Sequence, residues 1–189
     1  MPPTALIVID VQEEYFSGAL PIESPPPEAS LARILEAMAA ARAASVPVVV
    51  VRHTEPPGEG SFDAGTPAWE LRPEIAAQPH DLFVDKTLPG TFTGTDLGPW
   101  LQEQSIDHIT IAGYMTNVCC DTTARQALHR GLGATILRDA TGVPDMADVD
   151  GGVVAAVDLQ RATLAPLALM GVEVATVGAW VDSLVPPTP

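Results

Sequence analysis

The chain is poor in basic residues, aromatics and cysteine, and each shortage removes a class of function. Nine Lys and Arg stand against 24 Asp and Glu in 189 residues, a formal charge of −15. Clustered cations are what hold phosphate backbones and anionic membrane surfaces, so nucleic acid and acidic lipid are excluded as expected partners. Aromatics make up 5% of the chain, and no apolar run is long enough to span a bilayer. The start, MPPTALIVIDVQ, has a short apolar stretch without a basic flank and reads as a first strand rather than a signal peptide. No GxGxxG follows that stretch, and there is no phosphate-binding loop, no GxSxG and no CxxC, so nucleotide, serine-nucleophile and zinc chemistries find no support. The only two cysteines, Cys119 and Cys120, are adjacent. Neighbouring cysteines make a poor disulfide framework, which predicts a reduced, cytoplasmic protein.

What is present is an alternation of short apolar runs with helix-forming stretches over one domain, residues 1–189. Ala5–Asp10, Val46–Val51, Leu82–Val84, Ile106–Ala112, Ala134–Leu137 and Val172–Val177 read as buried strands. Glu28–Ala44, with Leu31, Ile34, Leu35 and Met38 on one face, reads as an amphipathic helix behind a Pro25-Pro26-Pro27 stop. Thr95–Gln104, Asn117–Arg130 and Asp148–Met170 read as helices, the last one expected to kink or split at Pro166. The segment from His53 to Pro79 is too long for a plain connector and is expected to be a functional loop, either a lid or an interface. The tail ends in prolines. This order predicts an α/β fold, a single doubly wound parallel sheet with helices on both faces, a Rossmann-like three-layer sandwich. Sites in such sheets lie at the carboxyl ends of the strands.

Three residues stand at such ends. Asp10 closes the first strand, where an acid either caps the next turn or serves a site. Lys86 follows the third and is the one lysine beside eight arginines. A lysine is more often a solvated surface residue, but a compact cation that titrates suits a thiol or carboxylate partner in a way that arginine does not. The third position is the cysteine pair. On a helix beginning near Asn117, Cys120 shares a face with Ala124, Ala127 and Leu128 and reads as a small packed hydrophobe. Cys119 points away from that face, in a first turn whose free N–H groups are expected to lower a thiol pKa, so it is the candidate nucleophile. The histidines are scattered, and only His53 is placed to meet a ligand. Tyr15, Phe16, Trp69, Phe92 and Tyr114 are further candidates for pocket walls, with core packing the ordinary alternative.

Taken together, the stretches ALIVIDVQEEY, FVDKTLPGTFTGTDL and AGYMTNVCCDTTARQALHRG, with LRDATGV beyond them, resemble the isochorismatase-like cysteine hydrolase superfamily over nearly the whole chain. The resemblance implies a six-stranded parallel sheet and a catalytic triad of Asp10, Lys86 and Cys119. It also implies a cis Tyr114–Met115 peptide, an oxyanion hole from the N–H groups of Met115 and Cys119, and a homo-oligomer of two or more chains. Some amidases of the superfamily bind a metal through an Asp-x-His pattern after the second strand. Arg52-His53-Thr54-Glu55 does not match it, so neither a metal nor another cofactor is expected. The expected activity is hydrolysis of a small carboxamide or related C–N bond through a cysteine thioester. Vinyl-ether hydrolysis, a thiol redox role and a silent binding role on the same fold remain alternatives.

Overall fold

The structure, a computed structural model, describes residues 3–58 and 60–184. The proline tail therefore lies outside the described residues. Six parallel strands form the central sheet: β1 (Thr4–Ile9), β2 (Val48–His53), β3 (Leu82–Lys86), β4 (His108–Tyr114), β5 (Gly133–Gly142) and β8 (Glu173–Ala175), in the order β3-β2-β1-β4-β5-β8. Beginning in the middle and winding outward both ways puts the switch point between β1 and β4, where their carboxyl ends leave a crevice.

The apolar runs explain the layers. In β1, Leu6 and Val8 face one core while Ala5, Ile7 and Ile9 face the other, all fully buried. A strand covered on both sides has no use for a polar alternation, which is why ALIVI reads as unbroken. On the first face lie α1 (Pro27–Ala43) and α6 (Val177–Leu184). On the second lie α3 (Leu97–Glu103), α4 (Asp121–His129) and α5 (Ala156–Leu169). Helix α1 starts at Pro27, directly after the proline stop, and buries Leu31, Ile34 and Met38, with Leu35 packed at the margin.

Three expectations are corrected. Residues 148–154 are not helical: β6 (Met146–Ala147) and β7 (Val153–Val154) form a small antiparallel hairpin instead. Its turn holds Gly151 at φ 89°, a conformation that glycine adopts at no steric cost. Pro166 does not split α5, which runs unbroken from Ala156 to Leu169. It falls in the last turn and forfeits only its own N–H bond, while the Met170 N–H still donates to Pro166 O at 3.1 Å. The sixth strand stops at Ala175, and Val177 opens α6 rather than ending a strand, with Thr176 Oγ1 accepting the Ala179 N–H at 3.2 Å.

Between His53 and Pro79 the chain is largely irregular, with a short helical turn at Pro67–Trp69 and the four-residue helix α2 (Pro73–Ala76). The loop is folded on itself at one point and tied to the body at another. Glu55 pairs with Asp63, and the Leu71 backbone pairs with Gln12.

Candidate active site

Four consecutive strands of the sheet deliver four side chains to one point. Lys86 is the last residue of β3, His53 the last of β2, and the two are register partners. Asp10 follows β1, and Cys119 sits in the turn after β4. Asp10 has φ 51°, a left-handed conformation uncommon for a residue with a side chain. Its N–H still donates to Val51 O at 3.0 Å, so the sheet holds the bend in place. The Tyr114–Met115 peptide is cis. Beyond it, Thr116–Cys120 forms one wide π-helical turn in which the Cys120 N–H donates to Met115 O at 3.1 Å. Such turns are rare and tend to occur at functional sites.

Lys86 is the hub. Its Nζ stands 2.7 Å from Asp10 Oδ2, 3.4 Å from Cys119 Sγ and 3.1 Å from His53 Nδ1. An ammonium has three donors and no acceptor; His53 and Cys119 take two of them, and Asp10 is its counter-ion. The contact with Asp10 is close but skewed, leaving neither carboxylate oxygen with an aligned hydrogen bond among the described residues. Acceptor capacity for a proton is therefore retained. Gln12 fixes the frame around this hub. Its amide Nε2–H donates to His53 O at 2.9 Å and Trp69 O at 2.7 Å, while its Oε1 accepts the His53 N–H at 2.8 Å.

The electrostatics follow from burial. Burial pushes the Asp10 carboxyl up, and the Lys86 charge opposes that push without cancelling it. Burial also raises the Cys119 thiol far above its ordinary value, aided by Asp10 and opposed by Lys86. Burial pulls Lys86 down, but Asp10 and Cys119 more than offset it, so the ammonium stays charged. The expectation that the helix start would lower the Cys119 pKa is thus corrected: burial and the neighbouring Asp10 carboxylate outweigh the one cation, Lys86. His53 is lowered to about 4 by burial and then by Lys86, so it is neutral near pH 7 and its Nδ1 accepts from Lys86. Cys120 is fully buried, packed in the second core with Ala124 and Ala127, and both thiols are free.

A cavity of about 430 Å³ opens onto Cys119. Tyr15 and His53 line it, together with Met115. The other expected walls do not. Tyr114 is buried beneath, with its hydroxyl 2.7 Å from Ser30 Oγ. Phe16 lies against Tyr114 and under the Arg72 guanidinium. Trp69 lies under Arg52 at 3.7 Å and donates to Thr54 Oγ1. Phe92 is packed in the second core with the Arg130 guanidinium over its ring at 4.6 Å. Tyr114 and Phe92 are buried in the core, and Phe16 and Trp69 are partly buried against it.

Sequence reasoning passed over Phe62 and Glu55, both lining the cavity from the long loop. Phe62 has its ring centroid 5.3 Å from those of both Tyr15 and His53. Its φ is 70°, strained for a bulky residue, and such strain gathers where a side chain must be aimed. No local pattern in the sequence marks either residue. Among the described residues, no group of three or more His, Cys, Asp or Glu side chains is placed to hold a metal ion.

A family model for the isochorismatase domain matches residues 4–178. The chain belongs to the isochorismatase family. Among solved structures, a Burkholderia xenovorans LB400 protein assigned as an isochorismatase shares 43% identity and a TM-score of 0.94, covering 97% of this chain and 88% of that one. A cysteine hydrolase from Pseudomonas syringae pv. phaseolicola 1448A shares 33% identity and a TM-score of 0.87, covering 96% and 92%. The secreted isochorismatase effector Isc1 of Verticillium dahliae is 36% identical over 165 residues, 87% of this chain and 83% of that protein. Nicotinamidase 3 of Arabidopsis thaliana is 33% identical over 150 residues, 72% of each. Membership makes the protein a hydrolase on the six-stranded fold described above. It does not carry a compartment. No helix among the described residues is long and apolar enough to cross a membrane, but the Verticillium relative is by name secreted, so the cytoplasmic expectation gains nothing from the family.

Proposed function

We propose that this isochorismatase-family protein is a cysteine hydrolase that cleaves a small carboxamide or related C–N bond, with Asp10, Lys86 and Cys119 as its catalytic residues. The observation that carries the reading is the buried Lys86 ammonium bridging a carboxylate and a thiol at the floor of a cavity. Two groups that could each be anionic share one cation, so one proton is held between them. Transferring it from Cys119 Sγ to Asp10 leaves the site's net charge unchanged, which makes the thiolate accessible despite the raised thiol pKa.

The steps then balance. Cys119 Sγ attacks the carbonyl carbon as its proton passes to Asp10, and the carbonyl oxygen takes up negative charge, met by the N–H groups of Met115 and Cys119. The C–N bond breaks as Asp10 returns that proton to the departing nitrogen, leaving a thioester. Water attacks the thioester and gives a proton to Asp10. The C–S bond breaks, and the proton returns to sulfur. One amide and one water become one acid and one amine or ammonia, with no other reactant. His53, neutral and accepting from Lys86, is a positioning residue that aims the ammonium.

The test is ammonia release from a panel of small primary amides, run on wild type beside Cys119→Ser, with the protein mass read after rapid quenching. Release by wild type, with an acyl adduct on Cys119, is the expected result. Equal release by Cys119→Ser would overturn the thioester.

A further inference from the structure

Resting on that reading of the site, we infer that Glu55 makes the cavity select for small amides that carry a positive charge and turn away those that carry a carboxylate.

Among the described residues, the cavity wall contains no Lys or Arg. The nearest cation, Lys86, lies beneath it with a fully buried side chain and is already matched by Asp10 at 2.7 Å. The nearby arginines are committed elsewhere. Arg52 is paired with Asp85 at 2.6 Å and covers Trp69, while Arg72 is paired with Glu13 at 3.0 Å. A substrate carboxylate would therefore meet no counter-charge in the cavity.

It would meet a carboxylate instead. Glu55 is held by backbone geometry rather than left to wander: its N–H donates to Phe62 O at 3.0 Å, and it pairs with Asp63 across the loop. Its side chain is 32% exposed, on the cavity wall, with Oε1 3.6 Å from His53 Nε2. That is beyond a good hydrogen bond, and the ring is neutral, so His53 does not cancel the Glu55 charge. Against the apolar and neutral wall made by Tyr15, Leu20, Phe62, Met115 and Val118, one carboxylate decides the sign of the field. The charge of −15 over the whole chain extends the same sign to approach from solvent. The same field favours departure of the product, which is itself a carboxylate.

The experiment needs a readout independent of hydrolysis. Cys119 can be modified by a cationic (trimethylammonioethyl) and an anionic (sulfonatoethyl) methanethiosulfonate, each forming a disulfide with release of a sulfinate. Rates at Cys119 are read by mass spectrometry and normalised to each reagent's rate with free cysteine. Wild type is expected to favour the cationic reagent by about tenfold, the size of one partly screened charge contact. Glu55→Gln should lower the ratio toward one, leaving only the part due to the net charge, and Glu55→Lys should lower it further. Addition of salt should shrink the wild-type ratio. Identical ratios in wild type and Glu55→Gln would overturn the inference, whether or not any amide is hydrolysed. In the amide assay, matched probes of one size class (β-alaninamide, butanamide and succinamate) should fall in that order of kcat/KM. Succinamate turned over as fast as β-alaninamide would overturn it as well. Failure of all three amides with the reagent preference intact would count against the thioester reading alone.

Discussion

Lys86 shows how one side chain can be both a stability liability and the centre of a site. It is the only lysine in the sequence, and its side chain is fully buried. A buried ammonium and a buried carboxylate each cost several kcal/mol to dehydrate, and their attraction recovers that cost only while both are present. Lys86→Met should therefore strand the Asp10 charge and destabilise the fold by about 3–5 kcal/mol. Adding Asp10→Asn to that variant should restore part of the loss, because neither partner then remains charged and alone. Urea unfolding of wild type, both single variants and the double variant reads the coupling as the departure from additivity. Additive losses would mean that the pair is not coupled, against the 2.7 Å contact. Lysine scarcity made this residue visible in the sequence, and strand-end placement did the same for Asp10. Glu55 and Phe62 had no such mark, because their place on the cavity wall comes from a pairing across the loop, not from local spacing.

At the scale of an element, the junction of β1 and β4 sets the site, and Gly113 sets the junction. It has φ 109°, and a Cβ at this position would stand 2.0 Å from Ile9 O, a backbone atom of the neighbouring strand. The strands cannot separate to admit it, since Ile9 and Gly113 are register partners in the middle of the sheet. Gly131 also has a positive φ, 77°, but its missing Cβ would face open space. The two glycines separate strain from collision. Gly131→Ala should cost about 1 kcal/mol from backbone conformation alone, and Gly113→Ala should cost about 4 kcal/mol or more, in the range that marks a steric failure. Thermal melts of the pair decide this, and equal losses would mean that the strand approach at Gly113 is not what the glycine is for. The strands themselves were legible because a strand buried on both faces leaves an unbroken apolar run. The hairpin at residues 146–154 and helix α6 were not. Asp150-Gly151 is a turn signal masked by the helix-forming stretch after it. The eight residues of α6 begin with valine and glycine, which disguise a helix whose Thr176 cap was its clearest mark.

For the whole molecule the governing quantity is charge. We propose from the family resemblance that the working form is a homo-oligomer, and any such assembly brings surfaces of charge −15 together. The exposed ion pairs, such as Arg33–Glu36 and Arg161–Asp158, balance charge locally but leave the net excess in place. Self-repulsion between like-charged copies acts over a distance that salt controls, about 30 Å at 0.01 M and about 8 Å at physiological ionic strength. Contacts made within an interface lie closer than either distance and are screened far less. Raising salt should therefore weaken the repulsion more than the attraction, and the oligomer should tighten. Sedimentation of the full chain at low and moderate salt tests both parts at once. The expected result is an assembled species at moderate salt that dissociates toward single chains on dilution into low salt. A single-chain mass under both conditions would remove the homo-oligomer, and an assembly that loosens as salt rises would show that ion pairs across the interface outweigh the net charge.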